Sequence, residues 1–422
     1  MNTSKLAIVR EVLRADKSRW THRKVLAGRF TQPSSHSGHQ KIKKPQSSRT
    51  RFRATAKRCR LPTANNHLTT LADFLLNTNR WNPSSQAKES HEVSPLRQSD
   101  LIDLAELANK HHVIVRSFGA LSALISDEES SQLRVGIAQR IHLERARISH
   151  ALSFLQRICD TCESEKCRVV VIKSLDHWPD LGSDLDLYTD AHPTDVIRVM
   201  RRHFNSRLAG RSWGDRLANK WNFILPGLPE LVEFHIGRLG QTGEQIKFAR
   251  HLSERAALAQ IGEHRFLVPA AEDRVIISTL QRMYRHFYFR LCDIVDTACL
   301  ADAHAIDYEQ LRESAAAAGV WEGTATYLSI ISDYVKAFRG EGLGIPSFVK
   351  SAARFGGDQV SFRGGFLRVP IMPHALELFA SELRKLAGSG DMRGTARLSL
   401  FPGLAVAAAI GYKLTGSDKG IW

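Results

Sequence analysis

The spacing of apolar residues divides this chain into four parts. Up to about residue 95 they are sparse, apart from "HLTTLADFLL", which suits a short helix. From "SDLIDLAELANKHH" to "LERARISHALSFLQRI" they recur mostly at helical spacing, and Ile141, Ile148, Leu152 and Leu155 mark one face. Between about 168 and 265 the pattern becomes short β-branched or alternating runs separated by Gly and Pro, which predicts strands mixed with helices. Beyond Pro269 it turns helical again. The stretch from about 271 to 300 reads as one helix with a core stripe of Ile276, Leu280, Met283, Phe287, Leu291 and Ile294, and with Arg282, His286, Arg290 and Asp293 on another face. The expected organisation is an extension over 1–95, a helical lead-in over 96–166, an α/β (α+β) core with a short mixed sheet over 167–268, and a helical region over 269–422.

Charge sharpens the first boundary. The chain has 422 residues and a net charge of +16, but residues 1–60 hold 17 of its 59 Lys and Arg and only two of its 43 acids, Glu11 and Asp16. The remainder is nearly neutral. Since each phosphate contact usually needs its own Lys or Arg, a neutral body argues against a long nucleic-acid partner and confines any such contact to the tail. That tail, rich in Ser, Gln and His, has too little apolar surface to offset chain ordering, so it reads as disordered: a solvated extension, a polyanion-binding arm or a targeting segment. Met1 is not followed by a continuous apolar run, and a cytoplasmic protein is expected. The apolar segment "LFPGLAVAAAIGY", residues 400–412, is shorter than the roughly 20 residues of a membrane span and is expected to be a buried Ala-rich helix. Cys159, Cys162 and Cys167 begin with a zinc-ribbon spacing but lack a second Cys pair, so reduced thiols at a helix end are expected.

The chemistry concentrates in "VVVIKSLDHWPDLGSDLDLYTD", residues 169–190. "RVVVIKS" has the continuous apolar run of a buried strand, whereas "SDLDLYT" alternates, sending Asp184, Asp186 and Tyr188 to one face and Leu185 and Leu187 to the other. Two carboxylates side by side repel unless a cation sits between them. "NKWNFIL" and "LVEFHIG" read as a hairpin around "PGLPE", whose second strand could bring Glu233 to the two aspartates, with His235 on the same face.

This arrangement resembles the nucleotidyltransferase superfamily, the fold of DNA polymerase beta and the minimal nucleotidyltransferases. "VVIKS" is similar to that family's opening strand, "DLDL" to its paired aspartates about ten residues on, and Glu233 in "LVEFH" to its third carboxylate. More narrowly the chain looks like a bacterial group of uncharacterised nucleotidyltransferases, and the segment beginning "FLVPAAEDRVIISTLQRMYRHFYFR" resembles their helical element. The likeness covers about residues 140–305. It implies two Mg²⁺, or Mn²⁺ in their place, on Asp184, Asp186 and Glu233. It also implies an NTP contacted by Lys173, Ser174 and Arg282, and transfer of a nucleoside monophosphate to an unidentified acceptor. Two departures stand out: Lys173-Ser174 replaces a glycine-containing pair, and Asp180 falls where many relatives carry Arg. A catalytically silent module of the same fold is the main alternative, and a DxD glycosyltransferase the third.

Overall fold

A computed structural model describes residues 66–77, 98–124 and 131–415 of the chain. At its centre is a mixed sheet of five strands, β1 (Val170–Val171), β2 (Asp184–Thr189), β3 (Arg207–Leu208), β4 (Lys220–Ile224) and β5 (Leu231–Ile236), in the spatial order β1-β2-β5-β4-β3. β2 and β5 run parallel and the other neighbours are antiparallel, while β6 (Ala257–Ile261) and β7 (His264–Val268) form a separate antiparallel hairpin. The basic tail lies outside the described residues.

Period-two alternation gives the sheet two unlike faces. Leu185, Leu187, Val232 and Phe234 are buried in a core that also takes Leu152 and Leu155 of the helix Ser131–Ser164 and Val196, Val199 and Met200 of the helix Pro193–Phe204. The latter helix is well specified locally. The His192 side chain accepts a hydrogen bond from the Thr194 amide, Pro193 opens the first turn, and Asn205 closes the helix in the left-handed conformation. Cys162 and Cys167 pack in this same core as free thiols, and Cys159 packs against it.

The helices Asn66–Leu76, Gln98–Lys110 and Ile114–Leu124 share a second core with later helices, notably Ala271–Thr279, Leu291–Asp302 and Trp321–Arg339. Val170, Ile172 and Tyr188 join that core from the opposite face of the sheet. Arg147 of the long helix fixes the strands between the two cores, donating to the Leu181 carbonyl (3.0 Å) and pairing with Glu230 (2.6 Å). These residues lie just ahead of β2 and β5, and the resulting register sets Asp186 opposite Glu233.

Two expectations need correction. The stretch 271–300 is not one helix. Ala271–Thr279 passes into a wider-turned segment, Leu280–His286, then Phe287 takes a left-handed conformation (φ 53°), and Tyr288–Phe289 (β8) precedes the helix Leu291–Asp302. The cause lies far along the chain: β8 pairs with Phe366–Arg368 (β10), which forms a hairpin with Ser361–Arg363 (β9). Cross-strand bonds there replace helical ones. Gly364 and Gly365, both with positive φ, make the hairpin turn, so "SFRGGFLR" carried a signal for it. The segment 400–412 does form the expected helix, Phe401–Thr415, but it is not buried: Val406 and Ile410 are 60% and 53% exposed. It follows the helix Met392–Leu398, and Phe401 contacts Phe379 at a ring separation of 5.8 Å while Val406 and Ile410 face outward. Among the described residues, no helix is long and apolar enough to cross a membrane.

Candidate active site

The polar face of the sheet begins with a strained turn. After β1 the Ile172 amide still donates to the Asp186 carbonyl (3.0 Å), but Lys173 then adopts φ 60° and ψ −53°, and the Ser174 amide reaches back to the Ile172 carbonyl (2.5 Å). This is a γ-turn of the rare positive-φ kind, an uncommon and strained conformation for a lysine. The chain holds it by stitching the next residue to β2. The Ser174 hydroxyl accepts from the Asp186 amide (2.7 Å) and donates to the Asp184 carbonyl (3.1 Å). Ser174 is therefore buried, with its hydroxyl already spent on the backbone of the strand that carries the aspartates. The turn projects the Lys173 side chain over the acidic face.

There the carboxylates meet ammonium groups. Lys173 pairs closely with Asp186 and lies 3.8 Å from Glu233. Lys220, fully buried at the start of β4, reaches Glu233 at 2.8 Å, and His235 Nε2 lies 2.7 Å from the same Glu233 oxygen and 3.4 Å from Asp186. The mutual repulsion anticipated for the carboxylates is thus relieved within the protein by two lysines. Burial alone would raise the Glu233 carboxyl, but Lys220, His235 and Lys173 outweigh it and hold it well below the usual range. Burial, reinforced by Lys220 and Lys173, lowers the His235 imidazole and favours its neutral form. Lys220 itself is pushed down to about 8, by burial and then by the Arg285 charge. Asp184 differs because it stands at the solvent end of β2, without a lysine of its own. Desolvation within the cleft, followed by the Asp186 and Glu233 charges, pushes its carboxyl up to about 6.

Asp184 and Asp186 open into a polar cleft whose lining includes Lys173, Ser174, His112, Gln281, Arg282 and Arg290. The last two come from the broken segment 280–290. Arg282 is buried and makes an ion pair through Nε with Asp293 (2.8 Å), too poorly aligned to count as a hydrogen bond; its Nη1 has no partner. The Arg290 Nε is likewise buried without a hydrogen-bond partner, and its guanidinium lies over the Tyr288 ring at 5.8 Å. Asp293 therefore serves Arg282 and the Arg290 backbone amide (2.7 Å) rather than the Arg290 guanidinium one turn away. His286, which lies between Arg282 and Arg290 on that face, does not line the cleft; it is pushed down to about 2 by burial and by Arg285.

The floor beside the cleft is a fixed network. Asp180 accepts from the Val115 amide (2.6 Å) and from Arg116 Nε (2.8 Å), capping the helix Ile114–Leu124 rather than facing a ligand. Arg116 also pairs with Asp296 (2.6 Å), which holds His177 Nδ1 at 2.5 Å, and His177 Nε2 lies 3.8 Å from the Cys292 sulfur. Trp178 is 40% exposed, while Trp221 carries the Arg211 guanidinium 3.8 Å above its ring.

Of the residues singled out from sequence, Asp184, Asp186, Glu233, Lys173, Ser174 and His235 converge on one face, and Arg282 joins them across the cleft. Lys220 was missed. Its signal was alternation in "KWNFI", which puts Lys220 and Asn222 on the face opposite Trp221 and Phe223. His112, next to a helix start 70 residues upstream, had no legible signal.

For a divalent cation, Asp186, Glu233 and His235 offer ligand atoms within 4.8 Å of one another, and Asp184 stands beside them. A search of family models and of curated proteins finds no match to this chain.

Proposed function

We propose that this protein is a metal-dependent nucleotidyltransferase, moving a nucleoside monophosphate from an NTP to a hydroxyl or phosphate acceptor with release of pyrophosphate. One observation carries the reading: a single cleft sets the Asp184 and Asp186 carboxylates across from two guanidinium groups, Arg282 and Arg290, that retain unpaired buried N–H groups. Carboxylates suit a hard cation, and orphaned guanidinium donors suit phosphate oxygens. A triphosphate with its counter-cation needs both at once.

The oxygen donors of Asp184, Asp186 and Glu233 fit Mg²⁺, provided that Lys173 withdraws from Asp186. Bound there, two such ions would neutralise the phosphates and align the attacking oxygen. The chain's own residues do the rest. Lys173, released, is within reach of the same cleft and can turn its charge to a phosphate; Arg282 Nη1 and Arg290 hold the triphosphate opposite. Glu233, kept ionised by Lys220, is available to the acceptor proton. Ser174 contributes by fixing β2 with its hydroxyl, which is therefore not offered to a phosphate.

The silent-module reading has an observation in its favour as well, since Lys173 and Lys220 already balance the Asp186 and Glu233 charges. Incubation with each labelled NTP, Mg²⁺ and cell extract, followed by mass spectrometry of the labelled products, separates the two. Transfer of label with pyrophosphate release is expected, and binding without transfer would favour the silent module.

A further inference from the structure

A second pocket adjoins the first and shares Lys173 and Gln281 with it, but its character is different. Its walls are Ile172, Leu239, Ile277 and Leu280, all buried side chains of the same core. Into this apolar setting projects Arg285, half-buried and without an ion pair among the described residues. A half-buried guanidinium without an acceptor at the edge of an apolar pocket is free to take a planar anion bidentately. Nor does the neighbouring lysine share in that role, because Lys173 pairs with Asp186 and Glu233 here and, in the reading above, turns to a phosphate once released. Another unmet polar group borders the pocket. His235 is 4% exposed, and with Nε2 2.7 Å from Glu233 its Nδ1 is buried without a partner.

We propose that this pocket receives the acceptor, as a small hydroxycarboxylate with a hydrocarbon body of a few carbons, whose hydroxyl oxygen forms the bond to the α-phosphorus as the bond to pyrophosphate breaks and the hydroxyl proton leaves to solvent. The carboxylate pairs with Arg285, and the hydrocarbon lies against Ile172, Leu239, Ile277 and Leu280. One unpaired guanidinium balances a single negative charge, which favours a monocarboxylate over a phosphate dianion. The acceptor role rests on the nucleotidyltransferase reading, because the shared Lys173 wall puts the occupant beside the carboxylates that would hold the donor nucleotide. The carboxylate preference itself rests on Arg285 and the apolar walls alone.

The test is titration calorimetry on the full chain with three probes: sodium hexanoate, hexan-1-ol, and Mg²⁺ with inorganic tripolyphosphate. Hexanoate should bind more tightly than hexanol. Arg285→Gln should weaken hexanoate at least tenfold and leave both hexanol and tripolyphosphate unchanged, and Arg285→Lys should restore part of the loss. Arg290→Gln should weaken tripolyphosphate and spare hexanoate. Tripolyphosphate binding without hexanoate binding, or hexanoate binding indifferent to Arg285, would overturn the carboxylate pocket while leaving the nucleotide reading standing. Hexanoate binding that depends on Arg285, together with no tripolyphosphate binding, would sink the nucleotide reading and with it the acceptor role.

Discussion

The two faces of the central sheet are made by the same strands and differ in nearly everything else. On one, Leu185, Leu187, Val232 and Phe234 interlock with two helices, and each side chain is wholly buried. On the other, Asp184, Asp186, Glu233, Lys173, Lys220 and His235 crowd together beside a lysine held at positive φ. The apolar face needs nothing further to account for it. Burial of four large side chains, at about 1.5–3 kcal/mol each, is ordinary stabilisation. The polar face instead gathers desolvated charge and backbone strain that a purely structural sheet would do without, and such features concentrate where a protein binds or reacts.

The sharpest way to break this contrast is to put a charge on the wrong face. Leu185→Asp removes a wholly buried side chain and leaves an unpaired carboxylate in the core, and should destabilise by about 4 kcal/mol or more in denaturant unfolding. A loss under 1 kcal/mol would mean that this face is not packed as described.

On the polar face the largest effect should come from the buried lysine. Lys220→Met leaves Glu233 without its 2.8 Å partner and should cost about 3 kcal/mol. Glu233→Gln should also destabilise, because it strands the Lys220 ammonium in the interior. Asp184→Asn should go the other way and stabilise slightly, since it removes a charge that Asp186 and Glu233 repel. Equal effects for Glu233→Gln and Asp184→Asn would contradict the assignment of the lysines.

A smaller effect follows from pH. An Asp carboxyl titrates near 3.9 in an unfolded chain and Asp184 near 6 in the fold, so between these values the native state binds the extra proton. Its contribution to stability is therefore full below the lower value and fades as pH rises toward 6. Melting in EDTA from pH 4 to 7 should show this decline for the wild type, superimposed on other titrations, and a flatter profile for Asp184→Asn. Identical profiles would show that Asp184 is not perturbed.

How far each face was legible in the sequence follows from what makes it. The alternation of "SDLDLYT" and "LVEFHIG" was enough to place Asp184 with Asp186 on one side of their strand and Glu233 with His235 on one side of theirs, because period two is a local property of the backbone, whereas the meeting of those sides depends on the β2–β5 register. The ion pairs were not legible in the same way. Lys173 arrives through a turn that its residue type does not favour, and Lys220 through a strand register that only the assembled sheet defines. The break at Phe287 had a similar origin. Helical periodicity from Ile276 to Ile294 was real in the core stripe, yet the backbone left the helix because β10, about 80 residues away, offered a strand to pair with. The exposed helix Phe401–Thr415 was misread for a simpler reason: composition predicts that apolar residues seek cover and says nothing of whether a neighbour is there to provide it.

Whether the polar face holds a cation and a triphosphate together is tested most directly by thermal melting of the full chain with and without Mg²⁺ and each NTP. Wild type should gain several degrees only when both ligands are present, by preferential binding to the folded state. Asp186→Asn should lose most of that gain. A wild type that no NTP stabilises in the presence of Mg²⁺, or a gain that survives intact in Asp186→Asn, would contradict the claim.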